Sequence, residues 1–166
     1  MKFLSPDEVA PTVFDIDYER LWKKGIRGLI FDLDNTLCPW RSPALDEATM
    51  RLLEGLRARG FRLCVLSNGR LEERERVVVD LFRQEIPLIY PAGKPFPFGF
   101  NRARERLGLS PSEIAVIGDQ LLTDVLGGNI VGFYTILVEP LDPREHPWTR
   151  FVARSLERLL GRRVRR

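Results

Sequence analysis

The residues best suited to do chemistry in this sequence are aspartates at the ends of apolar runs. Asp32 and Asp34 lie in the segment FDLDNTL (31–37), and Asp119 ends the run IAVIGD (114–119). A carboxylate buried in such a run without a partner is costly, so a functional role is favoured over a simple Asx turn. Carboxylates that converge on one site also repel each other, which indicates that a cation lies between them.

Donor groups that could bind a phosphate follow similar runs. The additional polar residues are Thr36, Ser67, Asn68, Lys94 and Asp124. Oxygen ligands suit a hard cation such as Mg²⁺, which shares its coordination shell with water and substrate phosphate. A cation and donors around a nucleophile are what phosphoryl transfer needs, because positioning and charge stabilisation supply most of the catalysis. In this hypothesis Asp32 attacks phosphorus and forms an aspartyl-phosphate, while Asp34 protonates the leaving alkoxide and then activates water.

The elements that must position these residues are five short apolar runs separated by helical patterns. The runs are GLIFDL (28–33), RLCVLS (62–67), PLIY (87–90), IAVIGD (114–119) and FYTILV (133–138). Helical patterns occupy 43–59, 71–84 and 97–107, and a weaker one begins near Thr123. Continuously apolar strands that alternate with helices predict an α/β domain with a parallel five-stranded sheet covered on both faces. Ligands bind beyond the carboxyl ends of such strands, where the polar residues listed above would meet.

The composition is typical of a single globular domain over residues 1–166. Residues 1–25 are predicted to be peripheral, with a helix at 17–24. No apolar run is long enough to span a bilayer and the N-terminus has no signal-peptide pattern, which predicts a cytoplasmic protein. Two cysteines without metal-site spacing fit reduced packing residues. The single histidine, His146, excludes a multi-histidine zinc site.

The charge of the chain is unevenly distributed. Residues 149–166 contain seven arginines and one acid, so the net charge of +3 becomes −3 for the residues that precede them. Four of the arginines recur every four residues beside an apolar stripe, which predicts a basic amphipathic C-terminal helix. Such a helix could pack on the domain or lie on an anionic membrane, as a peripheral contact at the inner membrane face. A nucleic-acid-binding module that uses this tail is a weaker alternative, because the tail has few aromatic residues.

Four motifs, in order along the chain, resemble those of the haloacid dehalogenase (HAD) superfamily. FDLDNTL (31–37) resembles the DxDx(T/V) signature of that family. The segments around Ser67 and Lys94 resemble its second and third motifs, and GDQLLTD (118–124) resembles its fourth. The resemblance covers roughly residues 28–138. It implies a HAD-like (Rossmannoid) three-layer sandwich, a phosphatase activity and Mg²⁺ as the cofactor.

The resemblance implies roles for four aspartates. Asp32 would be the nucleophile and a metal ligand. Asp34 would be the general acid/base and would also bind the metal through its backbone carbonyl. Asp119 would complete the metal shell. Asp124 would either ligate the metal through water or hold the lysine of the third motif, and the sequence leaves both roles open.

The resemblance also implies a phosphate-binding set. Thr36 and Ser67 would bind the phosphate, and Lys94 would steady both the phosphate and the nucleophile. Asn68 is a further phosphate-binding candidate at the rim, with simple turn chemistry as the alternative. The segment CPWRSP (38–43) resembles the flap over the site of this family.

The spacing of the motifs leaves no room for a cap domain, because helices and strands fill both intervals between Asp32, Ser67 and Lys94. An uncapped site would accept a large phosphomonoester substrate. The segments FDLDNTLCPW and GKPFPFGF are similar to the YqeG-type branch of the family (subclass IIIA), which is related to phosphatidylglycerophosphate phosphatases. The resemblance therefore implies a phospholipid phosphomonoester as a candidate substrate. The alternative is a small sugar or nucleotide phosphate, with a homo-oligomer covering the site.

Overall fold

The fold is built on a parallel β-sheet. The computed structural model describes residues 2–142, so His146 and the predicted basic helix at 149–166 lie outside the described residues. The strands are β1 (Glu8–Ala10), β2 (Gly28–Phe31), β3 (Arg62–Leu66), β4 (Leu88–Ile89), β5 (Ile114–Gly118) and β6 (Tyr134–Val138). All five predicted runs form strands. The order of the strands in the sheet is β1-β6-β5-β2-β3-β4, so β2 lies in its interior and its four residues are all buried.

Within residues 2–142 the sheet has six strands rather than the predicted five, because the N-terminal segment adds an edge strand. Glu8 in β1 lies opposite Ile136 in β6. The carboxylate of Asp7 accepts hydrogen bonds from the backbone N–H and the hydroxyl of Thr135, at 2.9 and 3.3 Å. The segment 1–25, predicted to be peripheral, thus extends the sheet and also buries Leu21 in the core.

Helices cover both faces of the sheet and complete the three-layer sandwich. They are α1 (Tyr18–Lys23), α2 (Glu47–Ala58), α3 (Glu75–Arg83), α4 (Pro97–Leu107) and α5 (Leu126–Val131), with a π-helical turn at Leu121–Val125. On one face, α2 and α3 bury Leu53 and Leu81 against strand residues such as Phe31. On the other, α4 buries Phe100 against residues such as Val116. Among residues 2–142, none of the helices is both long enough and apolar enough to span a bilayer.

The start of α2 departs from the sequence prediction for a physical reason. The helix predicted from residue 43 begins at Glu47, because the Asp46 carboxylate accepts the backbone N–H of Thr49 at 2.7 Å and caps the helix.

The two glycines that weaken the helical pattern of α5, Gly127 and Gly128, allow this helix to lie close to its neighbours. A Cβ at Gly127 would lie 2.2 Å from Phe100, and one at Gly128 would lie 2.4 Å from Val116.

Candidate active site

The carboxyl ends of the central strands bring most of the predicted residues together. Asp32 directly follows β2, and its backbone N–H donates to the carbonyl of Ile117 in β5 at 2.9 Å. Ser67 follows β3 in the same way, with its backbone N–H on the carbonyl of Ile89 at 3.1 Å. Sheet pairing therefore continues as far as the candidate residues, and the sheet itself fixes where their side chains begin.

Lys94 joins two of the carboxylates. Its ammonium Nζ lies 2.6 Å from Asp32 Oδ1 and 2.7 Å from Asp124 Oδ1. All three side chains are buried. Burial disfavours the ammonium form, but the Asp124 and Asp32 carboxylates outweigh burial and raise the pKa of Lys94. The lysine is therefore a permanent positive charge beside Asp32.

Asp32 lies in a strongly desolvated position. Burial raises the pKa of Asp32 to about 6, against the opposing effect of the Lys94 ammonium. The hydroxyl of Thr36 donates to Asp32 Oδ2 at 3.3 Å. Thr36 is buried beneath the carboxylate, so it contacts the candidate nucleophile, and its predicted contact with phosphate stays a prediction.

Asp119 supplies the clearest indication of a bound cation. Both of its carboxylate oxygens are buried and make no hydrogen bond within the described part of the chain. Burial, followed by repulsion from Asp32 and Asp124, raises the pKa of Asp119 to about 8. One carboxylate oxygen from each of these three aspartates lies within 4.8 Å of the others. Three buried carboxylates at this spacing, of which Asp119 has no hydrogen bond to its side chain in the described residues, are a donor set that fits a hard cation.

Asp124 Oδ1 accepts a hydrogen bond from Lys94, which agrees with the second of the two roles that the sequence left open, and ligation of the metal through water stays a prediction. The other carboxylate oxygen of Asp124, Oδ2, accepts the backbone N–H of Gln120 at 3.1 Å. The chain approaches this carboxylate closely, since a Cβ at Gly118 would lie only 2.2 Å from Asp124 Oδ2. A glycine at the end of β5 is therefore a condition for the position of Asp124.

Asp34 lies apart from the three clustered carboxylates. Its Oδ1 accepts the backbone N–H of Arg41 at 3.1 Å and the Nη1 of Arg74 at 2.7 Å. Arg74 was missed by the sequence analysis, because it begins a strongly charged helix in which neighbouring arginines are exposed. The predicted metal contact of the Asp34 backbone carbonyl stays a prediction.

Ser67 and Asn68 shape the loop beside the site. Ser67 Oγ accepts the backbone N–H of Gly69 at 3.1 Å. The carboxamide of Asn68 exchanges two hydrogen bonds of 2.9 Å with the backbone N–H and carbonyl of Lys94. Asn68 therefore ties the β3 loop to the loop that carries the lysine, which is the structural alternative to its phosphate-binding prediction.

A cavity of about 190 Å³ opens beside Asp32, Asp34 and Lys94. It is lined by Asp32, Asp34, Asn35, Trp40, Asn68, Gly69, Lys94, Gln120 and Thr123. Trp40 belongs to the predicted flap (38–43), and the Arg41 guanidinium lies over its ring at 4.3 Å. Both intervals between the motifs are filled by α2 with β3 and by α3 with β4, so neither holds a cap domain.

Comparisons with known proteins agree with this architecture. The HAD-hydrolase-like family model matches residues 91–140. The Probable phosphatase YqeG of Bacillus subtilis is 40% identical over 162 residues, which cover 96% of this chain and 91% of the relative.

A second relative and a solved structure extend the comparison. Phosphatidylglycerophosphate phosphatase 1 of Arabidopsis thaliana is 30% identical over 95% of this chain, which spans only 46% of that relative's length. The crystal structure of a HAD-superfamily hydrolase from Ehrlichia chaffeensis superposes with a TM-score of 0.54 at 14% identity, over 80% of this chain and 98% of that one. That likeness shows the fold alone. With the extensive identity to YqeG, these findings show that the chain belongs to the haloacid dehalogenase superfamily and is a HAD-family phosphatase.

Proposed function

We propose that this chain is a Mg²⁺-dependent phosphomonoester hydrolase that acts through an aspartyl-phosphate on Asp32. The observation that supports this most strongly is the buried ammonium of Lys94, 2.6 Å from Asp32 and 2.7 Å from Asp124, beside oxygens of Asp119 that make no hydrogen bond within residues 2–142. Such a site places an ammonium, and carboxylate oxygens suited to a cation, beside a carboxylate that lines a cavity. That arrangement suits attack on an anionic phosphate better than it suits a structural ion pair.

The first chemical step joins Asp32 to the phosphoryl group. A carboxylate oxygen of Asp32 forms a bond to phosphorus, the bond between phosphorus and the ester oxygen breaks, and Asp34 gives its proton to the departing alkoxide. Lys94 holds the attacking carboxylate and offsets the charge of the phosphoryl oxygens. Asp34 suits the acid role because it lines the cavity and lies outside the carboxylate cluster.

The second step returns the enzyme to its starting state. Asp34, now a carboxylate, accepts a proton from a water molecule as that water attacks phosphorus. The bond between phosphorus and the Asp32 oxygen breaks, so inorganic phosphate leaves and the Asp32 carboxylate is restored. One residue thus serves as acid and then as base.

The described residues fit a Mg²⁺ ion. Asp32 and Asp119 would hold it, with the backbone carbonyl of Asp34 as the further predicted ligand. Asp124 would either ligate the ion through water or hold Lys94. When bound, the ion would neutralise charge on the phosphoryl oxygens and on the clustered carboxylates. The orphaned oxygens of Asp119 would then have the partner that they lack within the described residues.

The direct test of this function is Asp32→Asn, assayed by release of inorganic phosphate with and without Mg²⁺. We expect turnover to fall about a thousandfold or more, because an amide cannot form the phosphoenzyme. Asp80→Asn on α3, outside the cavity, is the matched control and should keep wild-type turnover. An Asp32→Asn variant that is folded and as active as wild type would exclude Asp32 as the nucleophile.

We further propose that the substrate is a large phosphomonoester, with a lipid headgroup such as phosphatidylglycerophosphate as the leading candidate. The named activity of the Arabidopsis relative supports this. The cavity of about 190 Å³ has room for a phosphate and its immediate neighbours, so the rest of such a substrate would extend outward. Phe96 and Phe98 follow Lys94 closely in the chain and are 71% and 63% exposed, which offers apolar surface near the mouth.

A comparison of substrates tests the lipid assignment. We expect phosphatidylglycerophosphate in micelles to be hydrolysed with a higher kcat/KM than a panel of soluble sugar and nucleotide phosphates. The double variant Phe96→Ser/Phe98→Ser should lose activity on micelles and keep it on a soluble ester. Phe82→Ser removes a phenylalanine from α3 that is 80% exposed, more than either of these two, and is the control. A strong preference for one soluble phosphate would instead support the small-metabolite alternative.

A further inference from the structure

Arg74 is a buried arginine whose hydrogen bonds converge on the loop that carries the acid/base. It is 3% exposed. Its Nη1 donates to Asp34 Oδ1 at 2.7 Å, its Nε donates to the carbonyl of Ser42 at 2.9 Å, and its Nη2 donates to Cys38 Sγ at 3.2 Å. One guanidinium therefore contacts the beginning, the middle and the end of residues 34–42.

The same contacts set the direction of the Asp34 carboxylate. Both hydrogen bonds described for it, from Arg74 and from the backbone of Arg41, end on Oδ1. The other oxygen, Oδ2, points to Gly69, where an added Cβ would lie 2.4 Å from it. Gly69 lines the cavity, so the oxygen left for chemistry is on the cavity side.

The backbone on both sides of this contact is strained. Glu73, directly before Arg74, has φ of 66°, and Arg41 has φ of 55°. A residue with a side chain is strained in this region of backbone conformation, and such strain persists only where surrounding contacts hold it. The bonds of Arg74 to the loop, and of the Arg41 N–H to Asp34, are contacts of that kind.

We propose that Arg74 is the positioning residue of the acid/base: it holds the Asp34 carboxylate toward the leaving group and locks the flap (38–43) around it. This inference rests on the function proposed above. A buried guanidinium needs a counterion, and within residues 2–142 the carboxylate that pairs with it is Asp34. The three hydrogen bonds of Arg74 fix the plane of its guanidinium, so the bond from Nη1 restricts the rotation of Asp34, which a flexible lysine at this position would not do.

The leaving group of the substrate distinguishes positioning from a purely structural role. A 4-nitrophenolate leaves without help from an acid, whereas an alkoxide needs a proton as the bond breaks. For Arg74→Met we expect kcat/KM to fall about 100-fold on alkyl esters, glycerol 3-phosphate and phosphatidylglycerophosphate, and less than about 10-fold on 4-nitrophenyl phosphate. Both rates come from one preparation, so a reduced folded fraction cancels from their ratio.

Two further variants complete the experiment. Arg76→Met, an exposed arginine on the same helix, should leave both rates unchanged. In an Asp34→Asn background, Arg74→Met should cause little additional loss on alkyl esters, because the two residues act as a unit. Equal losses on both ester classes, or a full additional loss in the Asp34→Asn background, would overturn the assignment of Arg74 alone. A wild-type chain inactive on every ester would overturn the proposed function, and this assignment with it.

Discussion

At the scale of single residues, Lys94 is the buried cation that contacts two carboxylates of the site at once. Its ammonium separates the carboxylates of Asp32 and Asp124, which would otherwise be buried together with Asp119 nearby. An ion pair in such a position stabilises little relative to an apolar replacement of the whole group, but removal of one partner leaves buried charge uncompensated. We therefore expect Lys94 to be required both for catalysis and for the state of ionisation of its neighbours.

For Lys94→Met we expect turnover to fall at least about 100-fold and the free energy of unfolding to fall by about 3 kcal/mol. The variant keeps most of the side-chain volume and removes only the charge. Phosphate release and urea denaturation measure the two effects. Lys23→Met, on the exposed surface of α1, should change the free energy of unfolding by less than about 0.5 kcal/mol. Wild-type turnover in the Lys94 variant would contradict its role beside the nucleophile.

The sequence predicts some residues of the site well and others not at all. Asp32, Lys94 and Asp119 could be predicted to meet because each follows a buried parallel strand, and the sheet brings those ends to one edge. Arg74 could not, since its long side chain reaches the loop from 40 positions away in the chain. Nothing in its local sequence separates it from the exposed Arg76.

At the scale of elements, the turn after β5 depends on a close approach that only glycine allows. For Gly118→Ala the added methyl would lie 2.2 Å from Asp124 Oδ2, so Asp124 must move away from Lys94. We expect turnover to fall about 10- to 100-fold and the free energy of unfolding to fall by about 1–3 kcal/mol.

A second glycine provides the control for this prediction. Gly55 lies within α2, and a Cβ there would meet no atom within 4 Å. Gly55→Ala should therefore raise the free energy of unfolding by about 0.5–1 kcal/mol through helix propensity and leave turnover unchanged. If Gly118→Ala had equally little effect on turnover, the contact between Asp124 and Lys94 would not matter for catalysis.

Element boundaries follow the sequence where burial dominates and depart from it where side chains have other partners. The central strands are predictable because they are continuously apolar. Strand β1 is not, since three residues that include Glu8 give no such pattern. Ser42 looks like the N-cap of α2, but its hydroxyl donates to the carbonyl of Ala44 and its own carbonyl accepts from Arg74. Residues 38–43 therefore belong to the flap rather than to the helix.

At the scale of the whole molecule, the buried carboxylates link stability to pH. The pKa of Asp119 is raised to about 8 and that of Asp32 to about 6, against an ordinary value of 3.8. Between about pH 4 and these values, the folded protein binds more protons than the unfolded chain. The contribution of these two carboxyl groups to stability is complete at the low end of this window. It is lost as the pH rises through about 6 for Asp32 and about 8 for Asp119.

Metal-free protein should therefore have a lower Tm at pH 8 than at pH 6. The slope from a single carboxyl is at most about 1.4 kcal/mol per pH unit. Asp119→Asn, which cannot ionise, should remove most of this dependence, and Asp80→Asn should keep it. Calorimetry in the presence of a chelator measures the effect. An unchanged slope in Asp119→Asn would show that another group is responsible.

Mg²⁺ should oppose this loss of stability with rising pH, because a cation and protons compete for the same oxygens. At pH 6 the cation must displace protons from Asp119, whereas at pH 8 that carboxyl is largely ionised, so the apparent affinity for Mg²⁺ rises with pH. A ligand that binds only the folded state raises stability by an amount that grows with its affinity. The increase in Tm on addition of about 10 mM Mg²⁺ should therefore be larger at pH 8 than at pH 6, and should nearly vanish in Asp119→Asn. An increase of equal size at both pH values would place the bound ion away from Asp119.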